Sequence, residues 1–198
     1  MNHSEPRTDP RILRTRRLLR DAFVELLEEM DVEKISVNRL AERATINRVT
    51  FYLHYRDIPD MMEKMADDMI EDLSSILQAP NELRSLDPEV EWPIMVNLLE
   101  HIAQHARFYK VILATKRTTV FTERLLGLLT TLITDRFERS GGDSKLAELG
   151  IKRDIAIWYG ASALIGTIVS WLRSDMPYTP LFLAKQFALL RRYHLMKS

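Results

Sequence analysis

An all-α fold is what this sequence predicts, with an N-terminal three-helix unit containing a helix-turn-helix and a C-terminal helical bundle. Three observations predict it. Apolar residues recur at helical spacing in successive runs that open on Asp, Ser, Asn or Thr, and no strand-like alternation or repeat interrupts them. Residues Ser36 to Tyr55 read as two short helices around a tight turn. The eighteen residues from Ile155 to Leu172 carry no charge, the pattern of a helix apolar on every side.

Composition sets the class. The 198 residues suffice for one sizeable domain or two small ones, and 46% hydrophobic with 28% charged residues is ordinary for a soluble globular chain. Cysteine is absent, which excludes disulfides and cysteine-based metal sites and fits a reducing compartment. No apolar leader precedes the first helix, so a cytoplasmic protein is expected. Formal charge sums to zero but is uneven. Arg7, Arg11, Arg14, Arg16, Arg17 and Arg20 face only Asp9 over their span, while Glu63, Asp67, Asp68, Glu71 and Asp72 gather later. That pattern predicts a basic start and an acidic body.

The first helix is expected from Asp9-Pro10, a cap and a first-turn proline, to Met30, with Leu19, Phe23, Leu26, Leu27 and Met30 on one apolar face. Before it lies a polar arm, read either as a loose tail or as a minor-groove arm through Arg7. Ser36 caps a second helix with Val37, Leu40, Ala41 and Ala44 on one face. Thr45-Ile46 makes the turn, with Ile46 buried. Asn47 caps a third helix running to Tyr55, with Phe51 and Tyr55 inward and Arg48, Val49, Thr50 and Tyr52 on the other face. A helix this short fits a DNA major groove.

On these residues the chain resembles the DNA-binding domain of TetR-family transcriptional regulators. Leu40-Ala41-Glu42-Arg43-Ala44 matches the family's Leu-Ala-x-x-Ala helix, and Thr50-Phe51-Tyr52-Leu53-His54-Tyr55 its Thr-Phe-Tyr-x-His-Phe helix. Thr45 stands where the family has Gly, and Ile58 where it has Lys, with Arg56 as the substitute cation. The resemblance implies a DNA-contacting set of Ser36, Asn38, Arg39, Asn47, Arg48, Val49, Thr50, Tyr52, His54 and Arg56. Arg48 is expected to read a base, because a guanidinium donates twice to guanine O6 and N7, and Val49 and Thr50 to meet a thymine methyl. Asn38, Arg39, Tyr52 and His54 are expected on phosphates. Tyr52 reads equally as a core ring, and His54 as a brace for the turn into the next helix.

Asp57 caps a fourth helix whose stripe is Ile58, Met62, Met65, Met69, Leu73 and Ile76; its methionines suit a helix joining two bodies that shift against each other. Residues 81–91 read as a connection, followed by helices at 89–106, 107–115 and 118–140 and a Gly-rich loop at 140–144. The uncharged helix would span about 27 Å, just short of a bilayer core. Its two stripes, one through Ile155, Trp158, Tyr159, Ser162, Ile165, Gly166, Val169 and Leu172 and one through Ile157, Ala161, Leu164, Ile168 and Trp171, favour a dimer helix over a membrane span. The last helix opens at Thr179-Pro180 and places Leu183, Phe187, Leu190 and His194 beside Phe182, Gln186, Leu189 and Tyr193.

The resemblance implies that the last two helices form a four-helix bundle across a two-fold axis, with Trp158, Ser162, Ile165, Gly166, Val169, Leu183, Phe187 and Leu190 at the interface. The Arg107-Phe108-Tyr109-Lys110 segment also resembles the Firmicutes-type C-terminal domain of some members. The domains are expected at 1–57 and 58–198. A small-molecule effector of unknown identity would line its pocket with Trp92, Met95, Tyr109, Trp158 and Tyr159, which read equally as solid core. The competing reading makes the C-terminal body a protein-interaction module. No enzyme is expected: His101 and His105 lack the glutamate of an H-E-x-x-H helix, and phosphate loop, nucleophile elbow and cysteine nucleophile are all missing. No metal and no cofactor is assigned.

Overall fold

The computed structural model describes residues 9–78, 92–114, 118–140 and 146–196, and these are helical without a strand among them. Arg7, the 81–91 connection, the 141–144 loop and the side chains of Tyr193 and His194 lie outside the described residues. The chain forms two compact units, Met1–Met65 and Ala66–Ser198, and the division falls inside a helix.

In the first unit α1 (Pro10–Glu29) starts where Asp9 Oδ1 accepts from Arg11 N at 2.9 Å. A 3-10 turn (Val32–Lys34) leads to α2 (Val37–Arg43), α3 (Arg48–Tyr52) and the start of α4 (Ile58–Gln78). Leu19, Phe23, Leu27, Leu40, Phe51 and Met61 from all four helices are fully buried. At seven and five residues, α2 and α3 are too short to persist alone, since isolated helices need about 12–15 residues. Burial supplies their stability, at about 1.5–3 kcal/mol for each large apolar side chain. Arg43 adds a fork to Glu29, both arms at 2.8 Å, which ties α2 to α1 and holds the Glu29 carboxyl below its usual range.

α3 ends three residues before the expected Tyr55. The amides of Leu53 and His54 turn back to Thr50 O at 3.3 Å and Phe51 O at 2.9 Å, closing i→i+3 turns that stop the helix. Asp57 Oδ1 accepts from Asp60 N at 2.8 Å and starts α4. The expected basic start also needs refining. Residues 1–65 hold twelve acids and twelve bases, so the asymmetry is local: arginines crowd the first half of α1, and Glu25, Glu28, Glu29, Asp31 and Glu33 follow.

The second unit contains the rest of α4, α5 (Pro93–Gln104), α6 (Ala106–Tyr109) running into a π-helical turn (Lys110–Ala114), α7 (Val120–Ser140), α8 (Arg153–Arg173) and α9 (Pro180–Met196). α8 packs on α7 and on the π turn, and α9 packs on α5. At the α7–α8 contact a Cβ on Gly160 would lie 3.2 Å from Ile133 Cδ1, so glycine permits this approach. Thr118, buried, donates its hydroxyl to Ile112 O at 3.1 Å and satisfies a carbonyl of the π turn. α8 ends in a Schellman turn, with Asp175 N on Leu172 O and Met176 N on Trp171 O.

Two stripes differ from expectation. The buried line of α4 runs through Ile58, Met61 and Met65 in the first unit and Met69, Leu73 and Leu77 in the second; Met62 and Ile76 are only half-buried. α8 buries Ile157, Ala161, Leu164, Ile168 and Trp171 as expected, and Ile165 and Leu172 with them.

Candidate nucleic-acid interface

The turn between α2 and α3 fixes the start of α3. Thr45 N bonds Glu42 O at 3.1 Å and Ile46 N bonds Ala41 O at 2.9 Å, a Schellman turn that requires a left-handed residue between them. Thr45 takes that conformation at φ 56 despite its branched side chain. Ser36 Oγ accepts from Arg39 N at 3.3 Å, and Asn47 Oδ1 from Val49 N at 2.9 Å. Both caps form as expected, on two residues that stay exposed.

Phe51 is fully buried and Tyr55 is 3% exposed, and these two rings, 5.6 Å apart, anchor α3 from below. The opposite side is open. Arg48 is exposed, and Val49, Tyr52 and Leu53 are 61%, 56% and 76% exposed. Tyr52 therefore belongs to the surface, touching the core only through an edge contact to Phe51. Thr50 is half-buried and Asn38 is exposed. Leu53 is absent from the expected set because its exposure depends on α3 ending at Tyr52.

Arg39 is placed differently from a free phosphate partner. Its Nη1 donates to Lys34 O at 3.1 Å and to Met30 Sδ at 3.4 Å, so the guanidinium braces the 3-10 turn. Arg56 is bound to Asp60 through its backbone amide at 2.9 Å and its guanidinium at 3.4 Å. Lys64 donates to His54 O at 3.1 Å and to Asp60 at 3.0 Å and lies 5.4 Å from the Tyr55 ring centre. His54 is half-buried, and burial, then the cations Arg16 and Lys64, push its pKa down. It is a neutral imidazole in a cationic surrounding, which an approaching phosphate would favour in its charged form.

Residues 91–192 match the TetR_C_8 family, described as a transcriptional regulator C-terminal region. The chain belongs to the TetR family of transcriptional regulators. Regulators of this family are DNA-binding transcription factors, not enzymes. It is 29% identical over 103 residues to the uncharacterized HTH-type transcriptional regulator YxbF of Bacillus subtilis (strain 168), a match covering 50% of this chain and 27% of that protein. This TetR-family chain also shares its fold with solved regulators. A TetR transcriptional regulator from Streptococcus agalactiae 2603V superposes with a TM-score of 0.67 at 23% identity, over 92% of this chain and 96% of that one. The fatty acid degradation regulator FadR from Bacillus halodurans gives 0.61 at 20% identity, over 93% and 95%. FadR from Bacillus subtilis in complex with stearoyl-CoA gives 0.53 at 17%, over 88% and 96%.

In the second unit of this TetR-family chain the expected pocket residues divide between core and surface. Met95 and Tyr109 are core, and Trp92 carries the Arg136 guanidinium 4.8 Å above its ring centre. Trp158 and Tyr159 are over 60% exposed, so their rings lie on the outer face of α8 rather than in an interior. The expected interface is corrected in the same way. Ile165, Leu183 and Phe187 fill the protomer's own core, since the helix phase that buries Ile168 and Ala184 carries them inward. Trp158, Ser162, Gly166 and Leu190 are exposed and Val169 is half-buried, joined on that side by Ile155, Phe182 and Leu189. α8 is long and apolar enough to cross a membrane by length and composition.

Proposed function

We propose that the chain is a dimeric, cytoplasmic TetR-type regulator that binds a pseudo-palindromic operator with α3 in the major groove. One observation carries this reading: α3 is anchored by Phe51 and turns Arg48, Val49 and Tyr52 outward on a helix short enough for the groove. Arg48 reads a base, while Asn38, His54, Arg56 and the Tyr52 hydroxyl hold phosphates, leaving the Tyr52 ring itself against the groove. Arg39 supports the same surface from the 3-10 turn.

The partner in the dimer is a second copy, seated on α8 and α9. Gly166 supports this. A glycine inside a helix costs about 1 kcal/mol against alanine, yet nothing of its own protomer lies within 4 Å of a Cβ added there. The close approach that would use it comes from outside the protomer, and Ser162 and Ser170, one turn away on either side, keep the same line small. Covering Ile155, Trp158, Tyr159 and Leu190 this way favours a dimer helix over a membrane span.

An effector bound by the second unit completes the reading, as the stearoyl-CoA complex of Bacillus subtilis FadR illustrates in a protein of this fold. Coupling would run along α4, the helix both units share, and its size equals the effector's differential affinity for the DNA-bound and free forms.

Selection of bound sites from a random duplex pool tests the whole. The expected product is a two-fold symmetric site with half-site centres about one helical turn, or a multiple of it, apart, occupied by an even number of chains. A pool with no enriched sequence overturns the reading.

A further inference from the structure

We infer that the operator is read in part through pyrimidine C5 methyl groups, those of thymine, packed against an apolar patch that Val49, Tyr52 and Leu53 form on the outer side of α3. The inference rests on the DNA-binding reading above and names what that surface recognises.

Val49, Tyr52 and Leu53 stand at i, i+3 and i+4, and because Leu53, the C-cap, keeps αR backbone angles it continues the face that Val49 and Tyr52 share on α3. All are more than half exposed, Leu53 most of all at 76%. Single exposed apolar side chains are ordinary, but two on a five-residue helix with a third at its C-cap form a patch that water alone does not account for. The polar inventory of the same face narrows the partner. Adenine is read at N6 and N7 by Asn or Gln, and cytosine at N4 by Asp or Glu. From Arg48 to Arg56 none of these four residue types occurs. Asn47, just before α3, already commits its Oδ1 to the cap. Arg48 serves guanine. Of the features an A·T pair offers in the major groove, N6, N7 and O4 call for hydrogen-bonding groups such as the Thr50 hydroxyl, and the thymine methyl is the one that an apolar patch holds.

The test starts from the operator obtained by selection and replaces each thymine by deoxyuridine, which removes the methyl and keeps the base pair. At one or two positions in each half-site the full-length protein should bind about fourfold more weakly, and about fifteenfold when both half-sites are changed, as expected for about 0.8 kcal/mol per buried methyl-sized group. The ratio should hold across a salt series, unlike phosphate contacts. Leu53→Ala or Val49→Ala should bind the thymine and uracil forms alike at its own position while keeping the guanine preference assigned to Arg48. A further arm, 5-methylcytosine paired with guanine at the sensitive step, separates the methyl from thymine's own O4: recovery of affinity supports methyl packing. Equal binding of all uracil and thymine operators overturns the inference. So does retained discrimination in both variants. If no operator emerges from selection, the DNA-binding reading fails instead.

Discussion

Thr45 holds the strained position of the first unit. A side chain with a branched Cβ in the left-handed region costs about 1–2 kcal/mol, and glycine's greater freedom in the unfolded chain gives back about 0.5–1 kcal/mol of any relief. Thr45→Gly should therefore stabilise the protein by about 0.5–1 kcal/mol without altering the reading surface, as read from urea unfolding midpoints. His54 and His101 set an acid limit. Both have folded pKa values below the ordinary 6.5, His101 through burial and then the neighbouring His105, against the pull of Asp72. Below 6.5 the unfolded chain takes up protons that the folded chain refuses, so their contribution is complete above that pH and is lost as pH falls through the lowered values. Unfolding midpoints should drop from pH 7.5 to 5.5, and His101→Gln should flatten that slope. At this scale the caps were readable in advance: Asp9, Ser36, Asn47, Asp57 and Thr179 each accept a backbone N–H at the start of a helix or of its first turn. The role of Arg39 was not. Its reach to Lys34 O depends on how the 3-10 turn folds back, which no spacing in the chain reveals.

On the proposed reading α2 braces and α3 reads, and a pair of arginines separates the two roles. Arg48→Ala should relax base preference at one position of each half-site, by about 1–3 kcal/mol, and leave stability nearly unchanged. Arg39→Ala should weaken operator and random duplex together. It should also lower stability by about 0.5–1.5 kcal/mol, because a hydrogen bond to Lys34 O is lost. Binding-site selection on both variants, alongside their unfolding curves, checks this; unchanged base preference in Arg48→Ala would reassign the reader. Helix positions were legible wherever a polar face set the phase. α1 is the clear case, with Leu19, Phe23, Leu26 and Leu27 buried as their spacing predicts and only Met30, at the C-cap, left half-buried. α8 has no such face. With apolar residues all round, periodicity marks two stripes but cannot say which residues between them turn inward, and Ile165 and Leu172 went to the protomer's core. On α9 the same ambiguity exchanged Leu183 and Phe187 for Phe182 and Leu189.

For the whole molecule the decisive variant is Gly166→Glu. Because a side chain there meets nothing of its own protomer, the substituted chain should keep its helical content while its sedimentation shifts from dimer to monomer at micromolar concentration. Ile165→Ala is the contrast. It removes a buried side chain and should cost about 2–5 kcal/mol of protomer stability, with assembly affected only through that loss. A wild-type monomer would remove the basis for both expectations. The outward face of α8 also has a consequence for how long the protein lasts. On the proposed dimer, a surface bearing Ile155, Trp158 and Tyr159 would be sheltered only as often as two chains meet, which would link folding and abundance by mass action. The melting temperature should climb with protein concentration, and a cell making few copies would hold chains that proteases remove sooner. In such a dimer, dosage would set lifetime.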